Sequence, residues 1–185
     1  MRFQVKEKQE NNLNKSKIEI GILGGSFDPA HKGHLAISKE ARKRFNLKKI
    51  IWAITKKNPL KAESKTPISK RIKDCKKIIG LNFFIKVKFY ENIIKSNKSI
   101  NLINYLKKNK NIEIFFLMGA DNLISFHKWH KSKLISQKCN IIVFDRHGYK
   151  KNSLKSKTFR KLNNKTLRFV EFKKVNISSS QLRKI

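Results

Sequence analysis

The chain has 185 residues, enough for one domain with a full core, and a formal charge of +33 from 45 Lys and Arg against 12 Asp and Glu. Its apolar residues come in short runs, none near the roughly 18 consecutive residues of a membrane span, so a membrane role is excluded and soluble partners are expected. Only eight of the basic residues are Arg, and the Lys are spread from end to end among Asn and Ile. That dispersion predicts a field that draws small polyanions rather than a dedicated nucleic-acid site.

Met1 to Lys17 is polar and mixed in charge, with Glu7 and Glu10 and no apolar stretch. It reads as a disordered tail without a signal or transit peptide, ahead of a single domain over residues 18–185, and predicts a cytoplasmic location. Ile18 to Leu23 reads as a strand, Gly33 to Phe45 as a helix and Ile50 to Ile54 as a second strand. Pro67 to Ile79 reads as a helix with proline in its first turn, Phe83 to Phe89 as a strand and Ser99 to Lys108 as a helix. Ile112 to Met118 reads as a strand, Asn122 to Ser136 as a broken helix and Asn140 to Phe144 as a strand. Tyr149 to Asn164, rich in Lys, Asn and Ser, reads as a surface excursion before a last strand, Leu167 to Phe172. Strands separated by helices imply an α/β fold, a doubly wound, Rossmann-like parallel sheet that binds ligands outside its C-terminal strand ends. Cys75 and Cys139 lack metal or redox spacing, and neither suggests a disulfide.

The most informative segment follows the first strand: Gly24-Gly25-Ser26-Phe27-Asp28-Pro29-Ala30-His31-Lys32-Gly33-His34. A strand ending in two glycines can turn sharply and let a phosphate approach bare N–H groups. His31 and His34 stand three apart at a helix start, so both can serve one anionic pocket. Asp28 and Pro29 suit a turn. Near the other end, Ile177-Ser178-Ser179-Ser180-Gln181-Leu182-Arg183 offers hydroxyls at a helix start and an Arg one turn later, a pattern suited to a phosphate clamp.

These two segments resemble the Gly-Gly-(Ser/Thr)-Phe-Asp-Pro-x-His-x-Gly-His and Ile-Ser-Ser-x-x-x-Arg elements of nucleotidyltransferases that join a nucleoside triphosphate to a phosphate ester. Gly119-Ala120-Asp121-Asn122 with Trp129, and Asn58-Pro59-Leu60-Lys61, resemble motifs of the nicotinate mononucleotide adenylyltransferase family. The resemblance implies transfer of AMP from ATP to nicotinate mononucleotide, giving the deamido dinucleotide and pyrophosphate, a step of NAD synthesis. It implies catalytic roles for His31 and His34, which with Gly24, Gly25, Ser26, Phe27, Gly119, Asp121, Ser179 and Arg183 would bind ATP. Ser26, Lys61, Trp129 and Arg146 would bind the mononucleotide, with Trp129 stacked on the pyridine. Mg²⁺ would come with ATP, held by phosphates and water rather than by a protein metal site. One position departs from the family: Leu102 stands where a Thr helps read the pyridine carboxylate, which leaves acid against amide preference open. Two rivals remain: another small adenylyltransferase of the same fold, acting on nicotinamide mononucleotide or phosphopantetheine, and a non-catalytic nucleotide- or RNA-binding protein.

Overall fold

The computed structural model describes residues 17–57, 64, 66–163 and 165–171. Among the described residues six strands form one parallel sheet: β1 (Ile18–Gly25), β2 (Lys49–Ile54), β3 (Ile85–Lys88), β4 (Ile112–Gly119), β5 (Asn140–Phe144) and β6 (Leu167–Val170). Their order is β3-β2-β1-β4-β5-β6, so the chain reverses direction across the sheet between β1 and β4. That reversal opens a crevice at the C-terminal ends of these two strands, where Gly25 and Gly119 stand.

Parallel pairing needs crossovers, and helices supply them. On one face α1 (Lys32–Phe45) and α2 (Ile68–Ile79) cover Leu23, Ile50, Trp52, Ile54, Leu117 and Phe144. On the other, α3 (Glu91–Ile94), α4 (Ser99–Leu106), α5 (Ala120–Ser125), a 3₁₀ turn at Phe126–Lys128 and α6 (Ser132–Lys138) cover Ile20, Ile22, Ala53, Phe116, Met118 and Val143. Alternate residues of each central strand therefore enter opposite cores, which is why these strands read as unbroken apolar runs. Gly21 belongs to this packing: a Cβ there would lie 3.0 Å from Leu47 and 3.1 Å from Ile50. Although it stands beside the glycine turn in sequence, its small size serves the core.

Asn140–Phe144 matches its predicted strand, while the expected strand from Phe83 to Phe89 shortens to Ile85–Lys88 because Phe83 is exposed beside an edge. Pro67 caps α2 from just outside rather than standing in its first turn. The larger correction concerns Tyr149 to Asn164. It holds α7 (Lys150–Leu154) and α8 (Lys157–Leu162), the crossover from β5 to β6, with Ser153 and Thr158 buried. The Ser156 hydroxyl accepts the Phe159 N–H at 3.1 Å to cap α8, and Phe159 packs edge-on against Phe169. Among the described residues no helix is long and apolar enough to cross a membrane.

Candidate active site

β1 ends in Gly24 and Gly25, and α1 begins seven residues later at Lys32. A Cβ at either glycine would come no nearer than 3.6 Å to the protein, an ordinary contact. The protein's own packing does not demand glycine there; close approach of a ligand to the backbone would. Phe27 follows with a left-handed φ of 49° and a buried ring, and the Asp28–Pro29 bond is cis. The Asp28 carboxylate accepts the Ser64 hydroxyl.

The Phe27 ring stacks on Trp52, with centroids 5.0 Å apart, and its centroid lies 4.7 Å from that of His34. Trp52 Nε1 donates to Ser38 Oγ at 2.8 Å, and Ser38 Oγ donates to the His34 carbonyl at 2.9 Å. His34 thus rests on core aromatic residues and is tied to them through its own main chain.

His31 and His34 cap α1 together. His31 Nδ1 accepts the Gly33 N–H at 3.1 Å, and His34 Nδ1 accepts the His31 N–H at 3.2 Å. This is a capping box built from two imidazoles in place of a hydroxyl and a carboxylate. A ring nitrogen that accepts carries no proton, so the neutral form of each ring places its N–H at Nε2. The two ring centroids lie 3.8 Å apart, with the rings tilted by 33°. Burial, helped by the nearby Arg146 charge, lowers His31 from 6.5 to about 4, which keeps it neutral at pH 7.

Across the crevice, Gly119 closes β4 and Asp121 stands in the first turn of α5. Asp121 Oδ2 accepts Arg146 Nη1 at 2.6 Å, and the guanidinium also lies 5.5 Å from the Tyr149 ring centre. The position expected on the mononucleotide is therefore paired with the Asp expected on the adenosine ribose.

A cavity of about 490 Å³ opens beside these groups, lined by Gly24, Gly25, Thr55, Glu91, Lys98, Ser99, Leu102, Phe116, Trp129 and His130 among others. Trp129 is held edge-on against Phe116 and tilted on Phe126, at 5.9 and 5.3 Å between centroids. Glu91 Oε1 is already engaged by the Thr55 hydroxyl and by the Lys56 N–H at 3.2 Å. His31, His34, Asp121 and Arg146 do not line this cavity; Gly24 and Gly25 join it to the histidine turn. Lys61, Ser179 and Arg183, with the rest of their motifs, lie outside the described residues.

The cytidylyltransferase-like family model matches residues 22–185. A protein of Pelagibacter ubique (strain HTCC1062), named "Probable nicotinate-nucleotide adenylyltransferase", is 67% identical over 178 residues, covering 96% of this chain and 99% of that one. The chain belongs to the nicotinate-nucleotide adenylyltransferase family. A relative of the same name from Agrobacterium fabrum (strain C58 / ATCC 33970) is 36% identical over 131 residues, 70% of each chain. Among solved structures, Plasmodium falciparum nicotinic acid mononucleotide adenylyltransferase complexed with NaAD is similar in fold, with a TM-score of 0.73 at 21% identity over 90% of this chain and 82% of that one.

Two features of this adenylyltransferase-family site were not read from the sequence. One is Arg71, which is buried and donates to main-chain carbonyls around the turn; a lone Arg within a Lys-rich helix carries no motif. The other is Glu91, on a four-residue helix too short to show periodicity.

Proposed function

We propose that this chain transfers AMP from ATP to nicotinate mononucleotide, releasing pyrophosphate and forming the deamido dinucleotide. The observation that carries the reading is the double-histidine cap beside a glycine turn, with a tryptophan-walled cavity opening from the same two glycines. No protein nucleophile is needed. A phosphate oxygen of the mononucleotide attacks the α-phosphorus of ATP, a new P–O bond forms, and the bond to the bridging oxygen breaks so that pyrophosphate leaves with the electron pair.

Each residue then has a defined task. The Nε2–H groups of His31 and His34 donate to phosphate oxygens as charge builds in the transition state, and neutral rings do so without a proton changing hands. Gly24, Gly25, Ser26 and Phe27 bring main chain against the phosphates. Gly119 and Asp121 meet the adenosine ribose, while Arg146 orients Asp121 and adds positive charge near His31. Lys61 serves the mononucleotide phosphate, and Ser179 with Arg183 clamps the triphosphate. Among the described residues no three His, Cys, Asp or Glu side chains gather where they could hold a metal. A divalent ion, Mg²⁺ in this reading, comes as part of the ATP substrate and neutralises phosphate charge there.

The pyridine stacks on Trp129. Leu102 lines the same cavity and has no polar group for the carboxylate, whereas Lys98 and His130 line it with positive or proton-donating groups. These support the acid over the amide. The test is pyrophosphate release with ATP against nicotinate mononucleotide, nicotinamide mononucleotide and phosphopantetheine. Release with the first substrate, at the highest kcat/KM, is expected; release only with phosphopantetheine, or with none, would refute the reading.

A further inference from the structure

Arg71 is 2% exposed on α2, and its hydrogen bonds run to main-chain carbonyls. Nη1 donates to Ser26 at 2.8 Å and to Thr55 at 2.9 Å, Nε donates to Thr66 at 2.9 Å, and Nη2 reaches Lys56 at 3.4 Å. A permanently charged group surrenders its hydration on burial and recovers the loss only through well-placed acceptors. An apolar side chain would anchor α2 to the core without that cost, as Cys75 and Ile79 already do. The use of a guanidinium here is explained by what its planar fork joins.

It joins three stretches of chain. Ser26 lies inside the turn between Gly25 and His31, Thr55 and Lys56 lead away from the end of β2, and Thr66 leads into α2. The sheet already ties Thr55 to Gly25, whose carbonyl accepts the Thr55 N–H at 3.0 Å, so what Arg71 adds is the hold on Ser26, beyond the end of β1, and on Thr66. From this geometry we infer that Arg71 is a positioning residue: it holds the Ser26 carbonyl, and with it the pose of the glycine–histidine turn, against the end of β2 and the start of α2. The inference rests on the reading above that this turn serves phosphates. It gives Arg71 no contact with substrate. A lysine could keep the charge but could not span the acceptors, because one ammonium lacks the fork.

Arg71→Lys and Arg71→Met provide the test, each measured against the unsubstituted chain below its own melting temperature. The readouts are kcat per folded molecule, the Kd of inorganic tripolyphosphate by calorimetry, and the Kd of adenosine, which has no phosphate. A misplaced phosphate turn should lower kcat by up to about 10²-fold and weaken tripolyphosphate roughly tenfold, while adenosine binding stays unchanged. The lysine variant should recover melting temperature over the methionine variant without recovering turnover. A lysine variant with normal kcat and tripolyphosphate affinity, whatever its melting temperature, would overturn the inference, and so would equal losses for tripolyphosphate and adenosine. Tripolyphosphate binding is read without turnover, so an unsubstituted chain that fails the pyrophosphate screen refutes the proposed reaction separately.

Discussion

Gly119→Ala should fold almost normally and yet lose ATP. The backbone does not need glycine there, since φ is −81°, a value any residue adopts. Space is the constraint: the new Cβ would lie 2.6 Å from Asp121 Oδ1. A carbon and an oxygen settle at about 3.3 Å or more, so the carboxylate must retreat by about 0.7 Å. It lies at the end of a rotatable side chain and can do so. The retreat strains the 2.6 Å pair with Arg146, whose guanidinium is 32% exposed, so that loss is at most about 1 kcal/mol, with a rotamer penalty of about 1 kcal/mol beside it. For a chain of this size the melting temperature should fall by roughly 2 to 8 °C. Function should suffer more, because in the proposed role a displaced carboxylate gives up a charge-assisted hydrogen bond to the ribose, about 1.5 to 3 kcal/mol, or roughly tenfold to a hundredfold in the KM for ATP. The assay is a melting curve with steady-state kinetics on Gly119→Ala, Asp121→Ala and the double variant. If the damage travels through Asp121, the double variant should be no worse than Asp121→Ala alone. Normal ATP affinity in Gly119→Ala, or two additive losses, would refute the argument.

Trp129→Ala should raise the KM for nicotinate mononucleotide by the equivalent of about 1 to 3 kcal/mol, the scale of stacking on an aromatic face, and leave ATP nearly unchanged; equal losses for both substrates would remove Trp129 from the pyridine. His34→Ala should lower kcat by about 10² or more, since it deletes the proposed transition-state donor, and near-normal turnover in the folded variant would end that role. His31 is lowered to about 4 against an unfolded value of 6.5, so the unfolded chain binds the extra proton between those limits. The neutral ring's advantage to the fold is thus complete above pH 6.5 and is lost as pH falls towards 4. His31→Asn keeps a capping oxygen but cannot titrate, so its melting temperature should fall less steeply than the parent's across that window; parallel curves would show that His31 does not carry the effect.

The βα alternation could be read because both cores draw on apolar side chains, so each central strand announces itself as a run. The histidine turn was readable as a pair of residues. Its inner working was not, because nothing in His-x-Gly-His says that each imidazole folds back to accept a main-chain N–H. Arg71 escaped for another reason: its partners at Ser26 and Thr55 are carbonyls, which every residue carries, so no side-chain pattern marks them. Tyr149 to Asn164 misled through composition. Its lysines and Asn152 are exposed, while the residues that bury it are the small Ser153 and Thr158 with Phe159 and Leu162 packed against the core. Trp129 could be picked out by resemblance, but the cavity beside it draws its walls from strand ends and helices far apart in the chain, Ile54, Leu102 and Met118 among them.

The chain of contacts from Trp52 through Ser38 to the His34 carbonyl removes a freedom that many enzymes keep. Where reacting groups sit on loops, a protein can drift in its interior while chemistry is preserved at the rim. Here the indole that fills the space beneath α1 also supports Phe27, which leans on His34. With His34 in the role proposed for it, interior packing and turnover are coupled, and a substitution at position 52 that restores thermal stability need not restore rate.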